Sequence, residues 1–122
     1  MRQIPNYEKA YISGQKLRKY LLSETHAIGK AKAKFFRSLG FNDDNIELFE
    51  QELMTIAYTE FVAEEIRTLF GIKYIVDGML PTPSGISTKI RTIWIVEPHD
   101  ERPRFITAYP QRMFATDKRS TT

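Results

Sequence analysis

The chain has 122 residues, no cysteine, and a net charge of +3 from 18 Lys/Arg against 15 Asp/Glu. That length holds one domain with a core of its own, and the missing cysteines exclude a disulfide framework, a thiolate nucleophile and a Cys-rich zinc site. No stretch reaches the roughly 20 apolar residues of a membrane span, and MRQIPNYEKAYIS lacks the apolar region of a secretory signal, so the expected location is cytoplasmic, with no membrane partner.

The mild net charge conceals a strong pattern. Residues 1–37 carry +7, residues 43–65 carry −8 with no Lys or Arg, and residues 66–122 carry +4. A basic–acidic–basic order assigns one surface to an anion and another to something else, or is simply the surface of helices that differ in charge.

In chain order, IPNY is irregular and Ser13 is positioned to cap a short helix near 14–22, whose apolar stripe is Leu17, Tyr20 and Leu21. A second helix is predicted near 26–39, with Ala27, Ala31, Phe35 and Leu39 at i+4 spacing, Ile28 and Phe36 beside them, and Gly40 as the stop. Lys30, Lys32, Lys34 and Arg37 cover its remaining surface. The third helix starts at a cap on Asp43 or Asp44. Its apolar face (Ile46, Phe49, Leu53, Ile56, Ala57, Ile66, Leu69, Phe70) extends to Gly71, with a break possible around Tyr58–Thr59.

Beyond Gly71 the period becomes that of strands. IKYIVDGML, ISTKIRTIWIVE and RPRFITAY read as strands joined by PTPSG and by a four-residue PHDE turn, with Pro103 confined to an edge or a strand start. The expectation is an α+β domain over residues 1–110, about three N-terminal helices packed on an antiparallel sheet of three to four strands. Residues 111–122 read as a tail, partly disordered.

A trial register sorts the strand residues into faces. If Glu97 faces Arg102, then Trp94 faces Phe105, Thr92 faces Thr107 and Ile90 faces Tyr109. If Leu80 faces Ile86, then Val76 faces Ile90. One face is then uncharged and packs on the helices. The other exposes Lys73, Lys89, Arg91 and Arg104, a basic surface suited to a phosphate backbone.

Three groups of residues can carry chemistry. His26 and Lys30 stand at i, i+4 on one helix face, a proton shuttle beside a cation that can stabilise a developing anion. Thr107 and Tyr109, in ITAYP, offer hydroxyls to a phosphate. Arg91 and Arg104 offer planar bidentate contacts, and Lys32, Lys34 and Lys73 add positive charge. In the trial register Thr107 and Tyr109 lie on the face opposite the arginines. Either a helix edge leaves the uncharged face partly open, or the basic face is the site. Each group also has a plain structural reading: a surface His–Lys pair, a satisfied core threonine with a packed tyrosine, and a solvated strand face. The two histidines, His26 and His99, have no metal-ligand spacing, there is no Gly-rich phosphate loop, and no cofactor is expected.

LRKYLL, HAIGKAKAKFFRSLGF, KYIVDGML, TIWIVE and RPRFITAYP together resemble an uncharacterised family of small bacterial domains, over about residues 4–110. More loosely, helices followed by an antiparallel sheet closing on T-A-Y-P resemble the barnase/EndoU/colicin/RelE-type RNase toxin domains. That resemblance implies a metal-independent endoribonuclease using acid–base transesterification, with His26, Lys30, Thr107 and Tyr109 near one cleft. It also implies RNA and a neutralising partner protein as partners. From their charge and placement, Lys32, Lys34, Lys73, Arg91 and Arg104 are the residues expected to contact nucleic acid. The alternatives are a non-catalytic module binding nucleic acid or protein, and a degenerate toxin-like domain that forms a homodimer.

Overall fold

The computed structural model describes residues 1–23 and 30–111. After a 3-10 turn at Tyr7–Lys9, helix α1 opens as Gly14–Lys16 and continues as a π turn, Leu17–Leu21. Helix α2 spans Lys30–Ser38. A 3-10 turn, Asp43–Asn45, leads into α3, Ile46–Thr59. Four strands follow: β1 Val62–Thr68, β2 Gly71–Pro81, β3 Ser87–Glu97 and β4 Asp100–Pro110, forming one antiparallel sheet in that order. The chain is thus α+β, with a helical first half on a four-stranded sheet.

The helix boundaries follow from local chemistry. At the end of α2, Gly40 adopts φ 103°. Its N–H donates to the Arg37 carbonyl, and that of Phe41 to Phe36, so the last carbonyls are satisfied in the Schellman manner. The turn before α3 is capped by Asn42, not by Asp43 or Asp44: its side chain accepts from the Asp44 N–H while Asn45 Oδ1 accepts from the Asn42 N–H. Ser13 occupies the N-cap position of α1 without a side-chain cap bond.

The third helix ends twelve residues short of Gly71. Thr55 and Thr59 each donate to a carbonyl four residues back, which bends helix ends, and Glu60 is already extended. The residues beyond pair with β2 as β1, with Ala63 left over as a bulge between Val62 and Glu64. Of the apolar residues assigned to a continued helix, Leu69 and Phe70 are 94% and 76% exposed at the tip of the β1–β2 hairpin. Long-range strand pairing outweighed a helical repeat that had nothing to pack against.

The core lies between the helices and one sheet face. Phe49, Leu53, Ile56 and Ala57 of α3 join Leu17, Leu21, Leu22 and Phe36 over Tyr74, Val76, Leu80, Ile90, Trp94, Phe105 and Ala108. Phe36, Phe41 and Phe49 form a ring cluster with centroids 4.4–5.0 Å apart, and Trp94 meets Phe105 edge-on at 5.2 Å. The buried Trp94 Nε1–H donates to Thr92 Oγ1 at 2.8 Å, and Thr92 donates in turn to the Val76 carbonyl at 2.7 Å, so no polar atom of this group is left unpaired. Gly78 permits the close approach of α3: a Cβ there would stand 3.0 Å from Ile56.

The register departs from the trial alignment in two ways. Leu80 pairs with Thr88, Val76 with Thr92 and Tyr74 with Trp94, an offset of two residues that leaves the faces unchanged because side chains alternate with period two. Between β3 and β4 the Trp94–Phe105 pair is as expected, but Ile93 then pairs with Thr107, leaving Ile106 as an extra residue. Past this bulge every residue of β4 changes face. Ala108 joins the core opposite Thr92, while Thr107 and Tyr109 move to the other face, opposite Ile93 and Arg91. The last turn is also tighter than PHDE, since Glu97 already pairs with Asp100. Pro103 lies in β4, an edge strand, where a second irregularity interrupts the ladder and the Tyr11 N–H donates to its carbonyl.

Candidate functional site

The bulge at Ile106 unites two residue sets that the trial register kept apart. Tyr109 stands directly opposite Arg91, and Thr107 faces outward two residues earlier on the same edge strand. Helix α2 reaches them through Lys32, whose ammonium donates to Thr107 Oγ1 at 3.1 Å and to the Tyr20 hydroxyl at 2.9 Å. The same ammonium lies 5.3 Å from the Tyr20 ring centroid and 5.7 Å from that of Tyr109, close enough for attraction to both π faces.

Tyr20 belongs to the π turn of α1. There the Leu22 N–H donates to the Leu17 carbonyl, so the widened turn buries Leu17, Leu21 and Leu22 together while Tyr20 remains only partly covered. Burial pushes its phenol up. Hydrogen bonds with Lys32 and Thr107, together with the positive field of Lys32 and Lys16, outweigh that and bring the phenol below the ordinary tyrosine value. Tyr20 was assigned only a place in an apolar stripe. Its polar tip was the available signal, because a helix-face tyrosine beside lysines has a hydroxyl to place.

Arg91 is bidentate to Asp77 across the β2–β3 pair, at 2.8 and 3.0 Å. Asp77 foremost, with Tyr109 assisting, keeps the guanidinium charged. Arg104 similarly faces Glu97 at 3.3–3.5 Å. The outer face is therefore less basic than its residue list, because two of its arginines are already engaged with carboxylates. Lys73 lies on this face, opposite Ile66 and Ile95.

The remaining candidates are dispersed. Lys30 and Lys34 line a separate groove with Arg37 and Ser38, while Ala31, Lys32, Phe35, Tyr109 and Pro110 line the pocket beside the Lys32–Thr107 contact. The structure thus brings Lys32, Thr107, Tyr109 and Arg91 together and directs Lys30 elsewhere. His26 lies outside the described residues. Among the described residues no group of three or more His, Asp or Glu is placed to hold a metal ion, and no helix is long and apolar enough to cross a membrane.

What this arrangement can do is bind a tetrahedral anion. It presents one ammonium, three hydroxyls and a nearby guanidinium, with a phenol of lowered pKa among them.

Residues 3–112 match the family described as domain of unknown function DUF6883, and the chain belongs to that family. Among solved structures it is similar to a chain of the contact-dependent growth inhibition toxin–immunity protein complex from Klebsiella pneumoniae 342. The TM-score is 0.68 at 18% identity, over 87% of this chain and 97% of that one. That likeness is one of fold. No curated protein matches the sequence.

Proposed function

We propose that the domain is a toxin-type endoribonuclease that cleaves RNA by acid–base transesterification and is held in check by a neutralising protein. The observation that carries this reading is the Lys32 ammonium held between the Tyr20 and Thr107 hydroxyls against the Tyr109 ring. The fold likeness to a chain of a toxin–immunity complex supports the toxin class and the partner.

In the proposed reaction the 2′-oxygen of a ribose attacks the adjacent phosphorus and the bond to the 5′-oxygen breaks, leaving a 2′,3′-cyclic phosphate and a 5′-hydroxyl. The 2′-proton goes to a basic group and the departing oxygen receives one. Tyr20, with its lowered pKa, is one proton-transfer group, and His26 is the sequence candidate for the other. Lys32 neutralises the charge that grows on the non-bridging oxygens. Thr107 and Tyr109 orient the phosphate, Arg91 supports Tyr109, and Lys30, Lys34, Lys73 and Arg104 meet flanking phosphates.

The test is incubation of the purified protein with total RNA and tRNA, followed by end-group analysis. Cyclic-phosphate and 5′-hydroxyl ends that disappear in Lys32→Ala support the reading. No cleavage by the wild-type chain, or undiminished cleavage by Lys32→Ala, ends it. Binding without cleavage assigns the surface to a nucleic-acid-binding module instead.

A further inference from the structure

Tyr20 links two depressions of different chemistry: it lines one, and its hydroxyl accepts from Lys32, which lines the other. On the Lys32 side, the pocket is formed by Ala31, Phe35, Tyr109 and Pro110 around the ammonium, so its walls are aromatic and apolar. On the other side, Ser13, Gln15, Lys16, Lys19 and Arg104 surround the same phenol. This second depression has three cations and two neutral hydrogen-bonding side chains, and no carboxylate among its lining residues. The Lys16 ammonium stands 5.0 Å from the Tyr20 ring centroid and that of Lys32 5.3 Å from it, so the two ammonium groups share one ring as a neighbour.

An aromatic slot beside a cation, followed by a tyrosine ring and then a cationic slot, repeats the alternation of base and phosphate along a single nucleic-acid strand. We propose that the Lys16–Lys19–Arg104 depression is a second phosphate subsite. It would hold the phosphodiester next to the one at Lys32, with a base stacked in the Phe35–Tyr109–Pro110 pocket. The ligand is therefore single-stranded RNA, since a duplex would hide the base faces that the aromatic pocket needs. This deepens the proposed function and rests on it for the identity of the strand. Arg104 lines the depression with its guanidinium already engaged by Glu97 at 3.3–3.5 Å, which leaves Lys16 and Lys19 as the charges there without a carboxylate among the ion pairs of the described residues. Because Lys16 also lowers the phenol of Tyr20, a phosphate seated there would reduce that field and move the phenol back towards its ordinary value.

The test uses a fluorescent 2′-O-methyl oligoribonucleotide, which keeps RNA geometry but lacks the attacking hydroxyl, so binding is read apart from cleavage. Its Kd is measured against salt for the wild type, for Lys16→Gln/Lys19→Gln, and for Lys16→Arg/Lys19→Arg. The glutamine pair is expected to bind at least tenfold more weakly. Its plot of log affinity against log salt should be shallower by about 1.4, the single-strand counterion slope for two lost phosphate contacts. The arginine pair is expected to restore both. Unchanged slope and affinity in the glutamine pair, with its melting temperature intact, overturn the subsite. If it melts early, the arginine pair decides: weak binding by a stable, fully charged variant overturns it equally. Absence of cleavage on the unmodified RNA defeats the catalytic reading alone and leaves the slope measurement standing.

Discussion

Lys32 on α2 donates to Thr107 on β4 across 75 residues of sequence, at 3.1 Å. That contact ties the helical half of the chain to the far edge of the sheet, and it places the only ammonium that touches both Tyr20 and Thr107 among the described hydrogen bonds. Preorganised charge of this kind accounts for large parts of rate enhancements, with single donors worth about 10²–10³ in kcat. Lys32→Ala is therefore expected to lower RNA cleavage by roughly that factor, while Lys32→Arg, which keeps the charge in a different shape, retains part of it. Single-turnover cleavage at saturating protein measures the effect.

Tyr20 provides a direct electrostatic readout. Its phenol titrates below the ordinary tyrosine range, where Lys32 and Thr107 hydrogen bonds offset the upward push of burial. A depressed folded value means that the folded chain releases this proton more readily than the unfolded one. The associated stabilisation is complete above the unfolded tyrosine value and is lost as pH falls through the folded one. Removing Lys32 should move the Tyr20 titration upward, followed by ring-carbon NMR on tyrosine-labelled protein. No upward movement in Lys32→Ala removes Lys32 as the cause.

The face assignment of β4 makes opposite demands on neighbouring residues. Ala108 is fully buried, so Ala108→Leu overpacks the core and should cost about 1–3 kcal/mol. Tyr109→Phe removes only a hydroxyl on the outer face and should stay within about 0.5 kcal/mol. Urea melts of the two variants check this, and the reverse order would restore the register without the bulge.

Two glycines in the left-handed region separate strain from crowding. Gly71, at φ 139°, would bring a Cβ within 2.5 Å of the Val96 carbonyl oxygen, whereas Gly85, at φ 91°, has open space around it. Gly71→Ala should cost more than about 2 kcal/mol, through strain and collision together. Gly85→Ala should cost about 1 kcal/mol, the backbone penalty alone. Equal losses in thermal melts would mean that the hairpin relaxes around residue 71.

Asp100 gives a pH signature at the β3–β4 turn. Side-chain and backbone hydrogen bonds from Arg102 hold its carboxyl at about 2. Its contribution is present above the ordinary aspartate value and is lost as pH falls towards 2. Any difference in melting temperature between wild type and Asp100→Asn at neutral pH should shrink across that acidic window, and a constant difference would exclude the carboxylate's charge as its origin.

Much of this architecture was legible in the residues, and the gaps have physical causes. Alternation in TIWIVE and RPRFITAY identified two strands and the Trp94–Phe105 pair, because apolar period is a local property. The helical spacing of Leu17, Leu21 and Phe36 likewise marked core residues. The extra residue at Ile106 left no comparable trace: bulges are set by how a strand must turn against its neighbours, and no neighbour is visible in a linear text. Ile66, Leu69 and Phe70 continued a helical repeat by coincidence of spacing, and only pairing with β2 decided otherwise. In the candidate site, Thr107, Tyr109, Lys32 and Arg91 were named from their chemistry, but assigning Lys32 rather than Lys30 to Thr107 required the rotation of α2 about its axis. Tyr20 was hidden because an amphipathic side chain satisfies an apolar stripe and a polar site equally well.

Ile106 also bears on how such a domain tolerates change. Loss of that one codon removes the unpaired residue and closes the ladder, leaving Thr107 opposite Ile93, Ala108 opposite Thr92 and Tyr109 opposite Arg91. The bulge is therefore slack in the strand, a place where an in-frame deletion changes local twist and spares both the interior and the hydroxyls beside α2.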